Sequence, residues 1–170
     1  MTVQDDPISF SELYRRYARD VYRFAVYLSA DPATAEDITS ETFVRAITSP
    51  APVRAETAKS YLFQIARNLF LDITRRSARQ GKMPDDVASM AAGAEMSMEQ
   101  KQRLERIMAV VREMPEIDRS ALLMRAEDEM SYEEIARALG VPLPSVKVKV
   151  HRARLRLAEA LASQEKGLCK

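Results

Sequence analysis

From Phe10 the apolar residues Leu13, Tyr14, Tyr17, Val21, Phe24, Ala25 and Leu28 recur three or four positions apart, the period of an amphipathic helix. Ser9 and Glu12 stand in front of it as the S-x-x-E of a capping box. Asp31-Pro32 then reads as an N-cap followed by proline at the first helical position, opening a second helix with Ala35, Ile38, Thr42 and Ala46 inward. Its outer side carries Glu36, Asp37, Glu41 and Arg45. Ser49-Pro50-Ala51-Pro52 breaks that helix, because each proline disfavours a helical residue before it, and a loop is expected to about Thr57. A third helix is predicted from Ala58 to about Arg79 on the stripe Ala58, Tyr61, Leu62, Ile65, Ala66, Leu69 and Ile73.

Between Gln80 and Glu95 the periodicity stops and Gly, Pro, Asp, Ser, Ala and Met take over, the composition of a linker. About 15 such residues, extended at ~3.3 Å each, reach roughly 50 Å, or about 15 base pairs of DNA. Ser97 with Gln100 offers a capping box for a fourth helix, with Leu104, Ile107, Met108, Val111 and Met114 as its stripe and Pro115 as its end. A fifth helix is expected from about Asp118 to Ala126. No segment alternates in the manner of a strand. The predicted fold class is therefore all-α, with two small helical domains, 1–80 and 98–170, joined by a flexible linker at 81–97.

The most specific pattern is SYEEIARALGVPLPSVKVKVHRARLRL, from Ser131 to Leu157. Ser131 and Glu134 form a third capping box, Gly140 supplies the left-handed residue that ends a helix, and a new helix is expected to start at Pro144. In that helix Val146, Val150, Ala153 and Leu157 share one side, while a step of 100° per residue puts Val148, His151, Arg152 and Leu155 on the other. Lys147 and Arg154 flank the outer face on one edge, and Ser145, Lys149 and Arg156 on the opposite edge. The second domain thus ends in a helix-turn-helix whose second helix suits a DNA major groove, with base edges on the floor and phosphates on the walls. On this reading Lys147, Val148, His151 and Arg152 meet base edges, and Ser145, Lys149, Arg154 and Arg156 meet mainly phosphates.

Composition narrows the class. The 170 residues, 46% hydrophobic and 30% charged, suit a globular protein, and no apolar run approaches the length of a membrane span. The opening MTVQDDPISF lacks the basic and apolar regions of a signal peptide, so a cytoplasmic protein is expected. With Cys169 the only cysteine and His151 the only histidine, no metal site or cofactor is expected. Nor does any nucleophile–base pair or phosphate loop point to an enzyme.

The net charge of +1 hides a segregation. Residues 1–56 carry 6 Lys+Arg against 9 Asp+Glu, residues 57–82 carry 6 against 1, residues 83–134 carry 6 against 13, and residues 135–170 carry 8 against 2. Two basic blocks alternate with two acidic ones, which implies two polyanion contacts beside surfaces that face something else.

With these residues in view, the chain resembles the extracytoplasmic-function sigma factors of bacterial RNA polymerase over nearly its whole length. AEDITSETFVRA (Ala35 to Ala46) is similar to the family's polymerase-binding segment, AKSYLFQIARNLFLDITRR (Ala58 to Arg76) to its helix at the −10 promoter element, and SYEEIARALGVPLPSVKVKVHRAR (Ser131 to Arg154) to its −35 reader. The resemblance implies that 1–80 binds core polymerase and recognises and melts the −10 element, and that 98–170 reads the double-stranded −35 element. It places polymerase binding on Asp37, Glu41, Thr42 and Arg45. It places the melted −10 strand on the loop Thr48 to Thr57 and on Lys59, Ser60, Tyr61, Gln64, Arg67 and Asn68, with Arg75 and Arg76 further along the same helix. Tyr61 and Asn68 are candidates for the wall that holds a flipped base, and each also suits a core or capping role. Tyr61 and Ile47 stand where the family commonly has Trp, and Pro144, Ser145 and Val148 replace a usual Gly, Thr and Ser, so promoter preference is expected to differ from the family norm. The resemblance also implies an anti-sigma partner. The alternative left by the residues alone is a stand-alone helix-turn-helix regulator that acts without polymerase, which would need a dimer face or a sensor domain.

Overall fold

The computed structural model describes residues 7–81 and 95–168; the start of the chain, most of the expected linker and Cys169 lie outside them. Among the described residues there are seven helices and no strand beyond one isolated bridge, Pro7 with Arg54. They form two compact units, the first holding α1 (Phe10–Ser29), α2 (Pro32–Thr48) and α3 (Ala58–Arg79), the second α4 (Met98–Arg112), α5 (Glu116–Ala126), α6 (Tyr132–Leu139) and α7 (Leu143–Leu168).

In the first unit each helix packs on the other two. Ser9 caps α1 by accepting the Glu12 N–H at 3.3 Å, and Ala30 ends it in the left-handed region at φ 56°. Asp31 immediately caps α2, its carboxylate accepting the Thr34 backbone N–H and side-chain hydroxyl. The Thr34 hydroxyl is the main reason the Asp31 pKa is lowered, so this cap is complete above the ordinary carboxylate range and is lost as pH falls through the lowered value. The core is aromatic and aliphatic: Phe24 and Phe63 rings lie 4.9 Å apart beside Val21, Ile38, Phe43 and Leu62, all buried. Phe10 and Tyr14, expected in the inward stripe of α1, are 44% and 50% exposed. They stand at the margin of the α1–α2 seam with their rings edge-on to buried Phe43, which they shield from outside. The proline loop after α2 is tied down by Ile8, whose N–H donates to Val53 O at 3.2 Å.

In the second unit α7 packs against α4, α5 and α6. Both bonds of the Ser97–Gln100 capping box are present, and α4 ends at Arg112, three residues before Pro115. Pro115 is instead the extended N-cap of α5, so that helix starts at Glu116, two residues ahead of the expected Asp118. Arg125 closes the next turn by donating to Met130 O at 2.9 Å while its guanidinium lies 4.8 Å from the centroid of Tyr132. The Ser131–Glu134 box is formed at 3.1 and 2.7 Å, and Gly140 ends α6 at φ 65°. The next helix begins one residue before Pro144, which falls in its first turn, and Val146, Val150 and Ala153 are almost wholly buried.

These local devices set the joint between α6 and α7. Ser131→Ala removes one N-cap acceptor and is expected to destabilise the second unit by about 1 kcal/mol. At Gly140 a Cβ would meet nothing within 4 Å, so Gly140→Ala carries only the backbone penalty of the left-handed region, about 1–2 kcal/mol. Urea unfolding followed by circular dichroism measures both losses.

Candidate nucleic-acid interface

Because α7 is buried along Val146, Val150 and Ala153, its opposite side is free by geometry. Val148 and Leu155 are 59% and 49% exposed there, with His151 between them, and Lys147, Arg154 and Arg156 are exposed at its edges. Ser145 is half-buried near the start of the helix. Apolar and aromatic side chains bounded by cations fit a groove with base edges below and phosphates beside.

Two of the expected contacts are held differently. Arg152 reaches across to α5 and donates from Nε to Asp118 Oδ2 and from Nη2 to Asp118 Oδ1, both at 2.8 Å, while half of its side chain stays exposed. Hydrogen bonding to Asp118, and then its charge, raises the Arg152 pKa above its ordinary value. Lys149 Nζ lies 4.0 Å from the same carboxylate, and its side chain is only 19% exposed. Its expected place on a phosphate wall is thus taken up by an inward ion pair. Asp118 itself is 1% exposed. Sequence reasoning used it only to mark a helix start, although it stands three and four residues before buried Ala121 and Leu122, an acid in a core register.

In the first unit, Tyr61, Gln64, Asn68 and Arg75 align along α3 at i, i+3, i+7 and i+14, on the side away from Leu62 and Ala66. Tyr61 and Gln64 are half-buried, Asn68, Arg75 and Arg76 are exposed, and Arg75 lies 3.5 Å from Asp72. Lys59 and Arg67 are half-buried on flanking positions. Ser60 is 4% exposed and faces the core, so its assignment to the melted strand is corrected: its hydroxyl cannot reach a ligand outside.

On α2, Asp37, Glu41 and Arg45 are exposed, and Arg45 Nε donates to Glu41 Oε1 at 2.8 Å. Thr42 is fully buried and donates its hydroxyl to Ile38 O at 2.6 Å, so it belongs to the core and not to a docking face. What sequence reasoning missed is the apolar company of this acidic face. Val44 and Ile47 are 52% and 57% exposed on the same helix, next to Phe10 and Tyr14 at the α1–α2 margin. An exposed apolar cluster bordered by charges is the composition of a protein-binding surface.

Among the described residues no helix is long and apolar enough to cross a membrane. No group of His, Cys, Asp and Glu among them is suited to hold a metal ion.

Comparison with known proteins follows the same division. Residues 13–80 match the family model of sigma-70 region 2, and residues 104–157 that of sigma-70 region 4. The ECF RNA polymerase sigma factor SigE of Mycolicibacterium smegmatis is 35% identical over 159 residues, which cover 91% of this chain and 62% of that relative, so the chain spans less than two thirds of SigE. SigM of Bacillus subtilis, also an ECF RNA polymerase sigma factor, is 30% identical over 152 residues that cover 88% of this chain and 93% of SigM. The fold is shared with the sigma factor RpoE of Bartonella quintana, solved with the anti-sigma factor NepR, at a TM-score of 0.69 and 24% identity over 90% of this chain and 96% of that one. It is shared too with CnrH, solved with the cytosolic domain of CnrY, at 0.65 and 21% identity over 91% and 88%. Two region matches in order, on the two units that carry the basic helices, and a relative matched almost end to end place this chain in the extracytoplasmic-function sigma factor family of bacterial RNA polymerase.

Proposed function

We propose that this chain binds core RNA polymerase through its first unit and directs it to promoters whose −35 element is read by α7 and whose −10 element is captured and melted by the proline loop and α3. The observation that carries this reading is α7, held by Val146, Val150 and Ala153 on one side and presenting Val148 and His151 between Lys147, Arg154 and Arg156 on the other. The exposed Asp37, Glu41 and Arg45 together with Val44 and Ile47 support α2 as the polymerase contact. The protein acts in the cytoplasm and does no covalent chemistry, which belongs to the polymerase. An anti-sigma factor controls it, as NepR accompanies the RpoE that shares its fold.

Asp37→Ala with Glu41→Ala is expected to weaken core polymerase binding at least tenfold while the circular dichroism spectrum is unchanged; equal retention of polymerase on the immobilised variant contradicts the assignment. Lys147→Ala, at a base edge, is expected to cost about 1–3 kcal/mol on a −35 duplex and to relax one position. Arg154→Ala and Arg156→Ala are expected to weaken every duplex alike and to lower the slope of log affinity against log salt by about 0.9 each, measured by anisotropy over a salt series.

A further inference from the structure

The carboxylate of Asp118 is the one acid buried beneath the DNA-facing helix, and it receives cations from two successive turns of that helix: Arg152 at 2.8 Å through two N–H groups and Lys149 at 4.0 Å. We propose that Asp118 is a positioning residue for promoter specificity: it fixes Arg152 in one rotamer so that the guanidinium presents its remaining edge to a single guanine of the −35 element, without touching DNA itself. The inference rests on the reading of α7 as the −35 helix.

The chemistry of the guanidinium carries the argument. It has five N–H donors in a planar fork, and the edge made of Nε and Nη2 is occupied by Asp118. Nη1 with the second Nη2 hydrogen forms another edge of the same spacing, which matches the N7 and O6 acceptors of guanine in the major groove. The side chain is 52% exposed although one edge is tied to an acid that is 1% exposed, so the free donors lie on the open side of the helix. Arg152 is also 40° from Val148 around the helix, in the middle of the outer face and away from its walls, which favours a base over a phosphate.

Fixing the side chain matters because an exposed arginine otherwise loses much rotamer freedom when it binds, and a mobile one reaches several acceptors with similar ease. Turning Arg152 away would leave a buried carboxylate with only Lys149 at 4.0 Å, an unfavourable state that holds the pair together as DNA approaches. The sequence-distant acid thus converts a flexible cation into a directed one.

The test is selection of a randomised double-stranded library by core polymerase loaded with the full chain, followed by sequencing of the bound DNA. Wild type is expected to enrich a −35 motif with one strongly preferred G·C pair assigned to Arg152. Asp118→Asn keeps the shape but removes the charge, and is expected to reduce that single preference on the order of tenfold with the rest of the motif intact. Arg152→Lys is expected to lose the same preference, and the double variant no more than either alone. Asp118→Glu retains the buried charge and is expected to restore most of the preference; it also decides the matter if Asp118→Asn does not fold. A uniform fall in affinity without a change at one pair assigns Asp118 to stability or Arg152 to a phosphate, and overturns the proposal. So does an unchanged motif in folded Asp118→Asn, or a folded Asp118→Glu that has lost the preference as fully as Arg152→Lys. A wild-type complex that enriches no motif removes the −35 reading, and the proposal with it.

Discussion

A helix that must be rigid yet accessible has to be held by one side only, and α7 meets that demand through Val146, Val150 and Ala153, which are buried against the rest of the second unit. Each buried valine removes apolar surface worth about 1.5–3 kcal/mol when fully covered, enough to fix the rotation of the helix about its axis. Everything on the outer face follows from that rotation. Val148, His151 and Leu155 are exposed because their neighbours 160° to 180° away are not. The turn formed by Gly140 and the prolines fixes where the helix begins, and the capping box at Ser131 fixes the helix before it.

The charges are arranged around this frame more than they contribute to it. A net charge of +1 says little, whereas the segregation into acidic and basic blocks matches the division of labour between surfaces. In the first unit α2 presents acids beside exposed Val44 and Ile47, and α3 presents Asn68, Arg75 and Arg76. In the second, the cations at the edges of α7 face solvent, while Arg152 and Lys149 are drawn back onto Asp118. A buried acid under a DNA-facing helix subtracts from long-range attraction and adds local order, a trade of affinity for direction.

Most of the frame was legible in the sequence because its signals are local. Capping boxes, Asp31-Pro32 and Gly140 act over three or four residues, and the structure has them where the pattern puts them. The boundary errors are one or two residues at prolines, since Pro115 served as an N-cap where a stop was expected. The site was less legible. Thr42 lies 40° around α2 from buried Ile38, so the helical period already turned it inward, and resemblance of a whole segment had carried it to the polymerase face. Ser60 was taken the same way along α3. Asp118 and Arg152 are 34 residues apart, and no periodicity within one helix can pair them. The exposed ring of Tyr14 was hidden for a related reason: a stripe predicts which side faces the core, but not where the core ends.

The central claim is that the two units act together on polymerase and promoter, which separates this chain from a helix-turn-helix regulator that works by occupancy alone. Run-off transcription by purified bacterial core polymerase, with and without the protein, on the DNA upstream of its own gene tests it most directly. The account predicts a discrete transcript that appears only when the protein is added, with −35 and −10 elements upstream of its start. No transcript, together with failure of the protein to retain core polymerase in the same mixture, would contradict it.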